Sequence, residues 1–254
     1  MKQHIWKWYL MPWCIFKPLF LHALACFESL LDKGGTRTLL VVLVSLVIFW
    51  HIYTPIHELL HVGACLAGGG TVTELALKPQ YGGHLLARIF PFVVAESEYA
   101  GQLTGFTTPN YWVYAFVDLA PYVLSLPGIL LLELSRRRNW APLFSIGMVL
   151  AFVPLMSVTG DYYELVSLVF TQLAEAMRPD WPAGVLIADD WFKLMGDLRE
   201  AGRLDAVSGS LAVLGLLAGI WAAMVTLACQ WHLAVRVFGA GFDTPSASRV
   251  DTAV

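Results

Sequence analysis

Charge is scarce in this chain: Asp, Glu, Lys and Arg make up only 14% of 254 residues, and whole stretches hold none. A soluble domain carries roughly 25% charged residues, so water is not the main solvent for this sequence. Net charge is only -3 and no basic cluster marks one face, which excludes a nucleic-acid footprint. Cysteine is equally sparse. Cys14, Cys26, Cys65 and Cys229 stand in apolar surroundings without Cys-x-x-Cys spacing, so neither a disulfide framework nor a thiolate zinc site is signalled. They read as small packing residues. Lys7 and Lys17 interrupt the N-terminal apolar stretch and no small-residue cleavage site follows, so a removed signal peptide is not expected. Repeats are absent, and the small polar segment Asp243 to Val254 is expected to be disordered.

What the chain has in abundance is apolar residues, 57% of the total, gathered in windows long enough to cross a bilayer core of about 20 residues per helix. Four windows qualify: Thr38 to Ile56, running on to Leu66; Tyr111 to Leu132, broken by Asp118; Ala141 to Gly160, with an uncharged extension from Leu165 to Ala174; and Ala206 to Val235. The first 32 residues mix Trp6, Trp8, Tyr9 and Trp13 with Lys2, Lys7 and Lys17, a composition typical of the membrane interface. They form an interfacial helix or, if Lys17 snorkels, a fifth span from about Met11 to Leu31. Between the first two spans, Thr71 to Leu77 alternates polar and apolar residues, Pro79 to Gly83 offers a turn, and His84 to Phe90 is a second short apolar run. The expected fold is therefore an all-α polytopic membrane protein of about four transmembrane helices, with the N-terminal segment (1-37), a core (38-235) that includes a small membrane-associated β-hairpin, and a flexible tail (236-254). Lys33, Arg37, Arg136 to Arg138 and Arg236 fall on one side of this arrangement, and the acidic stretch from Thr171 to Asp205 falls on the other. Both termini are then cytoplasmic.

One motif carries chemistry. His57 and His61 are four residues apart, so on a helix they lie about 40° apart around the axis and both imidazoles can grip one ion. Two histidines and a carboxylate suit zinc, leave a fourth position for water, and need an unbound glutamate to take its proton. Glu58 is placed to be that base. An ionised carboxylate near hydrocarbon costs at least ~2.5 kcal/mol on insertion scales, so Glu58 beside two histidines implies compensation. For the third ligand, His57 lies 20 residues after Arg37 and Asp161 lies 20 after Ala141, on spans that start from the same side. Both are ~30 Å along their helices, so they can meet. Asp161 is the expected third ligand, with Asp118 in reserve or behind a histidine, and Glu164 as a supporting group. His51, His84 and His232 lack a spaced partner and read as packing or interfacial residues, with His84 a weaker candidate for a second site because of its loop.

The stretch Ile56 to Ala64, followed by Gly68-Gly69-Gly70-Thr71-Val72 and Lys78 to Gly83, resembles the site-2-protease family of intramembrane zinc metalloproteases, in particular its compact bacterial members. Ser157-Val158-Thr159-Gly160-Asp161 looks like the family's later aspartate-bearing element, and Ala120-Pro121-Tyr122 to Ser125 faintly resembles its middle-span motif of a small residue, proline and asparagine. The similarity covers about Thr38 to Phe170. Two departures stand out: Gly160-Asp161-Tyr162 replaces the usual Leu-Asp-Gly, and the substrate-holding asparagine is not evident. The resemblance implies a zinc-dependent metallopeptidase in a bacterial cytoplasmic membrane, cleaving a membrane protein or peptide. Outside that class, the residues also suit a non-proteolytic binding or regulatory protein, a small transporter retaining the zinc site, or a hydrolase of lipid.

Overall fold

The computed structural model describes residues 11-177, 179-180 and 184-239, with side chains from residue 17 onward. The aromatic-cationic residues before Met11 and the tail after residue 239 lie outside the described residues. Among the described residues, four helical stretches are long and apolar enough to cross a membrane: Lys17–Ala67, Tyr111–Arg138, Ala141–Met177 and Ala206–Phe238. The protein is an all-α polytopic membrane protein with one small sheet.

Helix α1 (Met11–Ala67) is 57 residues long, and a straight helix of that length would measure ~85 Å, far more than one bilayer core. It is kinked at Gly35, whose φ of 52° and ψ of -141° lie outside the helical region. Glycine is suited to this position because a Cβ makes positive φ costly. The segment before the kink is helical, as both expectations for it required. It buries Leu19, Ala23, Cys26 and Leu30, spaced four, three and four residues apart on one face.

The chain folds as two compact units, each assembled from segments distant in sequence. One comprises Met1–Trp50, Val123–Pro154 and Met224–Val254. Its core joins the buried face of α1 to Ile129 and Leu132 of α4 (Ser125–Arg138), Phe144 and Ala151 of α5 (Ala141–Met156), and Leu227 and Trp231 of α8 (Ala206–Phe238). Helices α4 and α5 approach closely. A Cβ on Gly128 would stand 2.7 Å from Leu150 Cβ, and one on Gly147 would stand 2.8 Å from the Leu132 backbone nitrogen. Small residues let helix backbones touch where lipid supplies no hydrophobic drive for association.

The other unit comprises His51–Tyr122 and Leu155–Ala223. After α1, strand β1 (Thr71–Leu77) is followed by a 3-10 turn (Pro79–Tyr81) and a short helix α2 (Gly83–Leu86). Strands β2 (Val93–Val94) and β3 (Gly101–Thr107) complete a sheet of order β2-β1-β3. The expected second strand at His84 to Phe90 is thus a helix and turn. The antiparallel partner of β1 is β3, pairing Thr71 with Thr107 and Leu77 with Gly101, while β2 runs parallel to β1. Cys65 Sγ donates to the carbonyls of Thr71 (3.7 Å) and Thr107 (3.6 Å), tying the end of α1 to the sheet. Helix α3 (Tyr111–Leu119) starts where the Asn110 side chain accepts from the Trp112 and Val113 amides, both at 3.0 Å. Helix α6 (Asp161–Met177) follows a turn after α5, and α7 (Trp191–Glu200) is an amphipathic helix within the acidic stretch. Its Leu194 and Leu198 pack with Tyr163 of α6 and Leu211 of α8.

Candidate metal centre

His57, Glu58 and His61 lie within about one turn near the end of α1, and all three are buried. The turn aims His57 Nε2 and His61 Nε2 at each other, 3.1 Å apart. Asp161 enters from the first turn of α6, where the helix dipole favours a carboxylate. Its Oδ2 lies 3.1 Å from His57 Nε2 and 3.5 Å from His61 Nε2. The three expected ligands therefore converge, although His57 and Asp161 are 104 residues apart.

The histidines are held through their other ring nitrogens, and the Asp161 oxygen that faces them also accepts a hydrogen bond. His61 donates from Nδ1 to the Val117 carbonyl at 2.8 Å, which leaves the lone pair of its neutral form on Nε2. His57 Nδ1 is 2.9 Å from the Tyr53 hydroxyl, and in the same tautomer its N–H donates to that oxygen. Tyr122 donates its hydroxyl to Asp161 Oδ2 at 2.5 Å. The two imidazoles are thus oriented from behind, as is usual for metal-ligating histidines, and Tyr122 shares the inward-facing oxygen of Asp161. A tetrahedral zinc with bonds of ~2.0–2.1 Å has its nitrogen and oxygen donors ~3.4 Å apart, and the separations of 3.1, 3.1 and 3.5 Å match that edge. The residues fit the ion.

Glu58 is not one of the three donors. It is buried beside His57 and His61 on the same stretch of α1. Strand β3 abuts it: a Cβ on Gly101 would stand 2.6 Å from Glu58 Cγ, so only glycine leaves the glutamate its place.

Asp118 and Glu164 stay outside the donor set. Asp118 is 3% exposed, and its Oδ2 has no hydrogen-bond partner among the described residues. Glu164 accepts from the Tyr114 hydroxyl and so links α6 to α3. His51 stacks on Tyr81 with ring centroids 4.9 Å apart, and neither His84 nor His232 joins the cluster. Tyr53 and Tyr122 were not anticipated from sequence. Tyr53 precedes His57 by four residues, the same-face spacing that pairs the histidines, and so carried a readable signal. Tyr122 carried none, because the fold alone brings it to Asp161. Compared with protein-family models, curated proteins and solved structures, the chain matches none of them, and the donor set stands on its own geometry and chemistry.

Proposed function

We propose that this is an intramembrane zinc metalloprotease, a multi-pass protein of a bacterial cytoplasmic membrane that hydrolyses a peptide bond in a membrane-associated protein. The observation that carries the proposal is the convergence of His57, His61 and Asp161 with an uncommitted Glu58 on the same turn. Zinc held by those three residues would supply Lewis-acid polarisation of the scissile carbonyl and an acidified water.

The chain's own groups account for the rest. Glu58 takes a proton from the attacking water at its carboxylate and returns it to the leaving amine nitrogen as the C–N bond breaks. Tyr53 and the Val117 carbonyl hold the imidazoles in the tautomer that presents Nε2, and Tyr122 orients Asp161. Burial excludes bulk water, with side-chain exposures of 11% for His57, 9% for His61 and 20% for Asp161. β3 is an edge strand whose first residue lies against Glu58, so a substrate segment adding to it would run past the base.

The test compares Glu58→Gln with the wild type on membrane-protein substrates in detergent and in vesicles. Zinc at the His57 site is expected to persist while cleavage falls by ~10²–10⁴-fold. Retained zinc with no cleavage in either protein would instead favour a binding or regulatory protein that keeps the site for structure. Release of a lipid product would favour the lipid hydrolase.

A further inference from the structure

A second convergence of donor atoms lies in the unit that does not contain His57. His22 and Cys26 are four residues apart on α1 before its kink and face Glu133 of α4. His22 Nε2 is 3.6 Å from Cys26 Sγ and 3.9 Å from Glu133 Oε2, and one donor atom from each residue lies within 4.8 Å of the others. Their exposures are 3%, 0% and 1%, in a core otherwise built from residues such as Leu19, Leu30, Ile129 and Leu132.

We propose that His22, Cys26 and Glu133 form a second, structural site for a zinc-type divalent ion. The donor set is of the right kind, since thiolate, imidazole and carboxylate all ligate zinc. The spacing is close to what the ion needs. Bonds of ~2.3 Å to sulfur and ~2.0–2.1 Å to nitrogen put tetrahedral sulfur and nitrogen donors ~3.6 Å apart, and the His22–Glu133 pair has ~0.5 Å to close.

Charge favours it as well. A thiolate, a carboxylate and a divalent cation sum to zero, so the site buries a neutral group where an unpaired charge would be expensive. Glu133 is oriented from outside. Arg136 donates to Oε2 at 2.9 Å and to Oε1 at 2.7 Å, and Arg137 donates to Oε1 at 2.6 Å. Those arginine side chains are 40% and 54% exposed, so water screens their charges while their N–H groups fix the carboxylate. The His22 ring is fixed too, against Trp231 with centroids 5.2 Å apart. Donors this deeply buried leave no room for substrate, which makes the ion a staple between α1 and α4.

Metal analysis and cobalt substitution of the purified full-length protein test the proposal. Wild type is expected to hold about two zinc ions per chain, and Cys26→Ser and His57→Ala about one each. Replaced by cobalt, wild type and His57→Ala should show a near-ultraviolet sulfur-to-cobalt charge-transfer band that Cys26→Ser lacks, because the His57 site contains no sulfur. The wild-type spectrum needs no variant, so a misfolded mutant cannot mask the result. Absence of the sulfur band from cobalt-loaded wild type would overturn the second site. A wild type that holds one zinc, kept in His57→Ala and lost in Cys26→Ser, would overturn the first site and leave the second standing.

Discussion

Tyr53 fixes how His57 presents its metal-facing nitrogen, since its hydroxyl lies 2.9 Å from Nδ1. Removing such a support typically costs 10–100-fold in metal affinity, so Tyr53→Phe should weaken zinc binding by about that factor, as read by competition with a fluorescent chelator. An unchanged affinity would mean that Nδ1 needs no partner there. Asp161 and Asp118 separate on the same assay. Asp161 Oδ2 lies 3.1 Å from His57 Nε2, whereas Asp118 is buried outside the donor set. Asp161→Ala should therefore lose the ion of the His57 site, and Asp118→Ala should keep it. The reverse outcome would reassign the third ligand. The histidine pair and its glutamate were legible because one helical turn fixes their geometry, and Asp161 could be reached by counting depth along two spans. The His22–Cys26–Glu133 group was not, since its carboxylate comes from a helix more than 100 residues away and neither of its spacings is a known motif. Sequence suggested only a packing role for Cys26.

Elements bring these residues into register through small side chains. Gly128 of α4 faces α5 so closely that an added Cβ would stand 2.7 Å from Leu150 Cβ and 2.8 Å from the Leu150 carbonyl carbon. Because backbone cannot swing aside, Gly128→Ala must part the helices, and a loss of about 1–3 kcal/mol is expected on the overpacking scale. Thermal unfolding in detergent measures it, and an unshifted midpoint would show that the pair yields freely. Gly101 of β3 offers a contrasting case, since its added Cβ would meet the Glu58 side chain, which can move. Gly101→Ala should thus preserve stability and zinc content while displacing the base, and a shift of ~1 Å is enough to cost about 10²-fold in turnover. The helices were legible as long apolar runs, and β1 from its polar-apolar start at Thr71-Val72-Thr73, although Leu75 to Leu77 are buried as a continuous block. β3 escaped notice because Gly101-Gln102-Leu103-Thr104-Gly105-Phe106-Thr107 has two glycines and little alternation, and β2 is only two residues long. The apolar run at His84 to Phe90 misled in the other direction: Gly82, with φ 86°, ends one turn and starts the next, so the chain coils where a strand was expected. Helix α7 hides among acidic residues, yet Asp190 caps it by accepting from the Phe192 amide at 2.7 Å and the Lys193 amide at 3.2 Å.

The distribution of charge along the entire chain predicts which way it threads the bilayer, and with it the face to which the candidate metal centre lies nearer. Lys33, Arg37, the cluster Arg136 to Arg138 and Arg236 lie at one set of span ends. At the other, Lys78, Arg88, Arg178, Lys193, Arg199 and Arg203 are spread among Glu175, Asp189, Asp190, Asp197, Glu200 and Asp205, so the compact Arg136 to Arg138 cluster directly at a span end decides the threading. Cytoplasmic loops are enriched in Lys and Arg, so the arginine ends should face the cytoplasm and α7 the exoplasmic side. Asp161 begins α6 toward the acidic ends, and Trp191 donates its amide to Thr159 in the turn just before it at 2.8 Å. The proposed metal centre then opens nearer the exoplasmic face. Arg138 and Glu200 are both exposed, so cysteines placed there can report the threading. A membrane-impermeant maleimide added to intact cells should label Glu200→Cys above the wild-type background and leave Arg138→Cys unlabelled until the membrane is opened. Labelling of Arg138→Cys in intact cells, with Glu200→Cys protected, would reverse the threading. Because the donor distances do not depend on orientation, the same zinc site would then work from the cytoplasmic side.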